Sequence, residues 1–241
     1  FVLGALIKPQ MLLFGPVLLV VFIHFWIEQG WKKALRAFAI SVVSGLALAA
    51  AVVLPFRQGQ DFWWIIDKYT GTMGFYRYTS LSACNVYGLM GLLWKPDTIK
   101  LLGIPASIWG TVGIVAACLV FLIAALRDRS REHIFFYAAM LVTGIFGLGG
   151  RMHERYMYPA LILLLLSSIL IRDRHHLRLY ILFSLTQFVN IALTLANEHL
   201  VNGDGVIFTL SALMMGGYIA MLAMAFGRIA PRMAGRVRER L

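Results

Sequence analysis

The chain has 241 residues, 60% of them hydrophobic and 14% charged, with a formal net charge of +11 and a mean hydropathy of +0.79. A soluble domain cannot hide that much apolar surface, so the sequence reads as a polytopic membrane protein. Its basic residues fall in short clusters between apolar stretches, which argues for membrane topology and against a nucleic-acid partner.

A membrane-crossing helix needs about 20 apolar residues, with a workable range of roughly 17–25. Residues 1–7 read as the end of an earlier helix. The first residue, Phe1, stands inside that apolar run with no Met, signal peptide or transit sequence, so a natural N-terminal part is expected upstream. Lys8-Pro9-Gln10 follows, with proline where a helix starts. Spans are predicted over 11–28 and 37–54, separated by Lys32, Lys33 and Arg36.

The segment 55–103 is of another kind. It carries Trp63, Trp64, Tyr69, Phe75, Tyr76, Tyr78 and Tyr87, and an apolar piece Val86–Trp94 too short to cross. Such composition predicts an interfacial helix followed by a re-entrant piece, because irregular backbone at membrane depth survives only where protein or a wet cavity surrounds it. An aromatic belt accounts for the tryptophans. It does not account for the small polar string Thr79-Ser80-Leu81-Ser82-Ala83-Cys84-Asn85.

Further spans are predicted over 104–126, 133–150, 156–171, 178–195 and 205–227. Between or after them stand Arg127, Arg129 and Arg131; Arg172, Arg174 and Arg178; the loop 196–204; and a tail with Arg228, Arg232, Arg236, Arg238 and Arg240. The fold expected is all-α: a single transmembrane bundle over 1–241, the C-terminal part of a longer chain. It has about seven full spans, a partial first helix and the extracytoplasmic or interfacial segment 55–103.

With seven spans, all four basic segments land on one side, which is then the cytoplasm. The opposite side receives Lys8-Pro9-Gln10, the segment 55–103, the loop 196–204 and the run Gly149-Gly150-Arg151-Met152-His153-Glu154-Arg155-Tyr156-Met157-Tyr158-Pro159. That run is the most unusual in the chain. An ionisable group at the bilayer centre costs about 2.5–3.5 kcal/mol on insertion scales, and such groups usually mark a functional site. If helical, Arg151 and Arg155 share a face, and two guanidiniums there suit a phosphate or diphosphate. Glu154 can pair with either arginine or orient His153, which can donate to phosphate or shuttle a proton. The competing reading is an ion-pair network that caps the span at Pro159.

Other chemistries are not supported. His153-Glu154 opens like a zinc-protease helix, but Met157 stands where the second histidine belongs. His175-His176 sits in a basic loop and reads as solvated. Gly144, Gly147, Gly149 and Gly150 lack the following Gly-Lys-Ser/Thr of a phosphate loop and read as sites of close helix approach. Cys84 and Cys118 are too far apart in sequence to suggest a disulfide framework. Asp61 and Asp67 are acidic candidates on the outer face without a distinctive context, and Asp204, between Gly203 and Gly205, reads as a turn.

Lys8-Pro9-Gln10, the Asn-centred Ser82-Ala83-Cys84-Asn85-Val86-Tyr87 with Gly88, and Arg151-Met152-His153-Glu154-Arg155-Tyr156 with Pro159 together resemble a known family. It is the GT-C class of integral-membrane glycosyltransferases, in the bacterial branch related to GPI-anchor mannosyltransferase II. The order of the motifs agrees, and the resemblance covers essentially the whole chain. Ser82 stands where the family has Asn, and Tyr87 where it has Trp.

The resemblance implies transfer of mannose or another hexose from a polyprenyl-phosphate donor to a glycan, lipid or protein acceptor, without nucleotide or other cofactor. It implies that Lys8, Arg151, His153 and Arg155 hold the donor phosphate, supported by Gln10, Asn85, Tyr87, Glu154 and Tyr156. The general base is expected upstream of Phe1. The enzyme would lie in the bacterial cytoplasmic membrane, its site on the periplasmic face. Lys8, residues 82–87 and residues 151–155 are then expected in one pocket. A transporter or flippase of lipid-linked saccharides would use the same cationic pocket without making bonds.

Overall fold

Inside a bilayer no water satisfies backbone N–H and C=O groups, so a spanning segment must bond within itself as a helix. The computed structural model follows that rule. It describes residues 1–61, 63–73, 76–128, 130–196 and 205–238. Phe75, Arg129, Arg240 and most of the loop 196–204, with Asp204, lie outside the described residues, as do the side chains of Arg228, Arg232, Arg236 and Arg238. Among the described residues, six helices are long and apolar enough to cross a membrane: Pro9–Gln29, Trp31–Phe56, Ala106–Arg127, Glu154–Ile171, Arg174–Ala196 and Gly205–Gly227. The protein is a polytopic α-helical membrane protein, packed as two compact units, Phe1–Tyr76 and Arg77–Leu241.

In the first unit, helix α1 (Val2–Ile7) ends at Lys8, whose backbone is extended. Pro9 opens a 3-10 turn, Pro9–Phe14, as its fixed φ and missing N–H favour. Helix α2 (Gly15–Gln29) then turns at Gly30, at φ +83°, into α3 (Trp31–Val53). The two pack face to face, with the Phe22 and Phe38 rings 5.4 Å apart. Helix α4 (Trp64–Met73) occupies the place where an interfacial helix is expected. The Tyr69 hydroxyl donates to the carbonyls of Ala5 and Leu6 at 3.1 and 2.7 Å, tying α4 to the end of α1.

In the second unit, a short buried helix α5 (Val86–Leu89) and a two-stranded ribbon, β1 (Lys100–Leu101) with β2 (Ile104–Pro105), precede α6 (Ala106–Arg127). The chain then runs through α7 (Ile134–Leu148), α8 (Tyr158–Ile171), α9 (Arg174–Ala196) and α10 (Gly205–Arg238). Neighbours alternate in direction. Gly113 meets Leu148 while Asp128 meets His133 and Tyr137, so α6 and α7 are antiparallel. Phe183 packs at Gly217 and Thr186 at Met214, so α9 and α10 are too.

The predicted span 133–150 is realised as α7, which has 15 helical residues, twelve of them buried. At 1.5 Å per residue it is about 22 Å long, short of a ~30 Å hydrocarbon core. An all-round apolar helix is what the centre of a bundle requires. Its glycines allow the close approach expected of them: a Cβ on Gly144 would lie 2.6 Å from the Tyr218 hydroxyl.

This alternation gathers residues 127–128, 130–133 and 172–178 at one end of the unit. At the other end lie 77–105 and 149–157. At the first end, His176 departs from expectation. It is fully buried, stacked on Phe136 at 4.4 Å with an interplanar angle of 5°, and its Nδ1 is 2.9 Å from Ser167 Oγ. Helical periodicity puts it on the same inward face as Leu179 and Phe183. His175 remains exposed, as expected.

Candidate functional site

The polar string Thr79–Asn85 is buried throughout. Polar groups removed from water must find partners, and the main ones here come from residues far along the chain. Asn85 Oδ1 accepts from the Tyr87 amide at 3.0 Å, capping α5. Its Nδ2 donates to the carbonyls of Phe146 (3.1 Å) and Gly149 (3.4 Å), two of the carbonyls that the end of α7 leaves without helical partners. One side chain thus terminates α7 and starts α5. From α9, Asn190 accepts from the Cys84 amide at 3.2 Å and donates to the Ser82 carbonyl at 2.7 Å. Gln187 donates to the Glu154 carbonyl.

With α7 stopped by Asn85, residues 149–153 leave the helix. Arg151 takes a left-handed conformation, φ +60°, which a non-glycine residue holds only where its surroundings enforce it. The surroundings are backbone bonds: Arg151 N–H donates to Thr79 O (2.9 Å) and Leu81 N–H to Met152 O (3.0 Å). On its other side the extended segment 79–81 bonds to 94–95, through Thr79 N–H to Lys95 O and Trp94 N–H to Ser80 O, both 2.8 Å.

That framework aims the Arg151 side chain at Asp97, whose carboxylate is almost wholly buried. Nε and Nη2 of Arg151 both donate to Asp97 Oδ2, at 3.0 and 2.5 Å. The pair borders a cavity of about 260 Å3, lined also by Tyr78, Thr79, Ser107 and Thr111. Its floor is a close backbone contact: a Cβ on Gly110 would lie 2.6 Å from the Gly150 nitrogen.

The remainder of the cluster is a separate local group. Residues 154–157 form a 3-10 turn. Glu154, largely buried, lies 3.5 Å from Arg155 Nη1 and 3.9 Å from His153 Nδ1. The His153 ring meets Tyr156 edge-on at 5.2 Å. The Arg155 side chain is about half exposed, at 52%. Arg151 and Arg155 therefore do not share a helical face. The helix that would have aligned them ends before Gly149, and each arginine has its own carboxylate, Asp97 or Glu154.

Residues 82–87 and 151–155 are thus brought together at one end of the second unit. Lys8 and Gln10 belong to the first unit. Asn85 and Tyr87 are spent on the protein itself, the Tyr87 hydroxyl donating to Ala106 O at 3.2 Å. Asp61 serves as a turn residue, accepting from the Trp63 amide. Burial pushes the Cys84 thiol up to about 12, so it is no nucleophile. Among the described residues no group of three or more His, Cys, Asp or Glu could hold a metal ion.

Five residues here escaped the sequence reading: Asp97, Ser107, Thr111, Gln187 and Asn190. The two on α9 carry a signal, since the polar positions 176, 186, 187 and 190 fall on one face with buried Leu179 and Phe183. Asp97 has only its place in the turn Trp94-Lys95-Pro96-Asp97.

Fold and site define a class: a polytopic α-helical membrane protein with a polar, charged site at one end of its larger unit. No protein-family model, curated protein or solved structure matches the chain.

Proposed function

We propose that this protein is a glycosyltransferase that moves a hexose from a polyprenyl-phosphate donor to an extracytoplasmic acceptor. The observation that carries the reading is the run 151–155. It holds four cationic or titratable side chains off any α-helix at the end of an apolar bundle, beside the buried polar string that the family resemblance pairs with it. Such groups are costly beside lipid and are retained where they act on a ligand. The clusters around Arg127–Arg131 and Arg172–Arg178 lie at the other end of the unit, which supports an extracytoplasmic site.

In this reading the acceptor hydroxyl attacks the anomeric carbon and the bond from that carbon to the phosphate oxygen breaks. The lipid phosphate then leaves with both bonding electrons. A carboxylate acting as general base takes the hydroxyl proton, as the family resemblance implies. Arg155 and His153 stabilise the departing phosphate by charge and hydrogen bonding, and Glu154 keeps both oriented.

The test supplies labelled polyprenyl-phosphate hexose to purified full-length protein in vesicles and follows free polyprenyl phosphate and labelled product. Wild type releases both. Arg155→Ala and His153→Ala each lower turnover by about 10²–10³, the scale for losing one preorganised stabilising group. Transmembrane movement of intact donor without cleavage would instead establish the transporter reading.

A further inference from the structure

We infer that the cavity between Asp97 and Arg151 seats a neutral polyhydroxyl ring, a single pyranose, and not the phosphate. The inference rests on the glycosyltransferase reading and assigns one substrate part to one place.

The lining sets the chemistry. Phosphate only accepts hydrogen bonds, and a site made for it offers donors and positive charge. Here the one guanidinium, Arg151, lies within 3.0 Å of a buried carboxylate, so the pair is close to neutral overall. An entering phosphate anion would meet Asp97 as well as Arg151. The other polar side chains on the wall are hydroxyls: those of Tyr78 and Ser107 can donate and accept, while Thr79 and Thr111 already donate to the carbonyls of Leu92 and Ser107 and offer acceptor lone pairs, which a phosphate cannot use and a sugar hydroxyl can. A vicinal diol matches that wall: one hydroxyl donates to the carboxylate while its neighbour accepts from the guanidinium.

Size agrees with one ring. The cavity's volume, about 260 Å3, falls just below the ~300–1,000 Å3 of sites for drug-sized ligands. Ser107 and Thr111 stand one turn apart on α6, on the face that also carries Gly110. The left-handed backbone of Arg151 is a further sign, since such conformations concentrate at ligand clamps. The ring belongs to the donor or to a sugar acceptor, with the same chemistry in either case.

The experiment measures saturation-transfer NMR signals of methyl hexopyranosides on full-length protein in detergent, with inorganic phosphate as competitor. The variants are Asp97→Asn and Ser107→Leu, the second of which fills the cavity without touching a charge. Thermal unfolding confirms that each is folded. The inference predicts saturable hexoside binding, undisturbed by phosphate and weakened about tenfold or more in both variants, a typical scale for hydrogen bonds to a charged group. In the transfer assay, a KM rise for the donor alone places the donor's hexose in the cavity, and a rise for the acceptor alone places the acceptor's sugar there. Displacement of the hexoside by phosphate, or folded Ser107→Leu binding it like wild type, overturns the inference. Hexoside binding without turnover keeps the cavity assignment and removes the transferase reading.

Discussion

Asn85 offers the sharpest separation between a structural and a substrate-binding role. Its side chain is fully buried and makes three hydrogen bonds, to the Tyr87 amide and to the carbonyls of Phe146 and Gly149. Replacing it with alanine strands three buried backbone groups. Each costs about 1–3 kcal/mol when left without a partner, but the contact at 3.4 Å is weak and local relaxation recovers part of the loss. The expected destabilisation is about 3–5 kcal/mol. For a chain of this length one kcal/mol moves the midpoint by about 2–4 °C, so Asn85→Ala should melt roughly 6–20 °C below wild type in detergent, followed by tryptophan fluorescence. Asn85→Asp keeps the acceptor for Tyr87 but turns a carboxylate oxygen toward two carbonyls, and should fare no better. An Asn85→Ala protein with wild-type melting and no turnover would refute this reasoning and return Asn85 to the substrate.

Further outcomes follow from other contacts. Gly110→Ala forces a Cβ to 2.6 Å from the Gly150 nitrogen, a methyl against backbone that cannot swing aside, and should sharply reduce the yield of folded protein on size-exclusion chromatography, whereas Gly216→Ala, with open space around the position, should not. Asp128 lies just beyond α6. Burial raises its pKa, but the Ser130 amide, His133 and Tyr137 outweigh this and hold it below the ordinary carboxylate value. A depressed folded-state value adds stability above the unfolded value, near 3.9, that is lost as pH falls through the folded one. Wild type should therefore lose stability below about pH 4, and the Asp128→Asn melting curve should lack that component. His176→Ala removes a buried ring stacked on Phe136 and should cost about 2–4 kcal/mol, while exposed His175→Ala should stay within about 0.5 kcal/mol of wild type in chemical unfolding.

Much of the helical frame was legible because the bilayer leaves the backbone few options. The expected 104–126, 178–195 and 205–227 correspond to Ala106–Arg127, Arg174–Ala196 and Gly205–Gly227. Hydropathy is blind, however, to what ends a helix from outside it. The expected 133–150 stops at Leu148 because Asn85, more than sixty residues upstream, takes the carbonyls of Phe146 and Gly149. That one contact also undid the shared face of Arg151 and Arg155, a face that needed an uninterrupted helix.

The cluster at 151–155 stood out because charge is costly there, and it does lie with the polar string. Its internal pairing was not legible. Asp97 is 54 positions from Arg151, and the segment 79–81, bonded on both sides, helps bring them together. His176 was misjudged for a related reason: its neighbours in sequence are basic and polar, but its neighbours in space are Phe136 and Ser167.

The proposed transferase site requires Asp97 and Arg151 to act as one unit. A double-mutant cycle of transfer rates over wild type, Asp97→Asn, Arg151→Gln and the double variant tests this most directly. The account predicts that each single change lowers turnover strongly and that the double variant is no worse than the poorer single one. Losses that simply multiply, or four proteins that turn over alike, would contradict it.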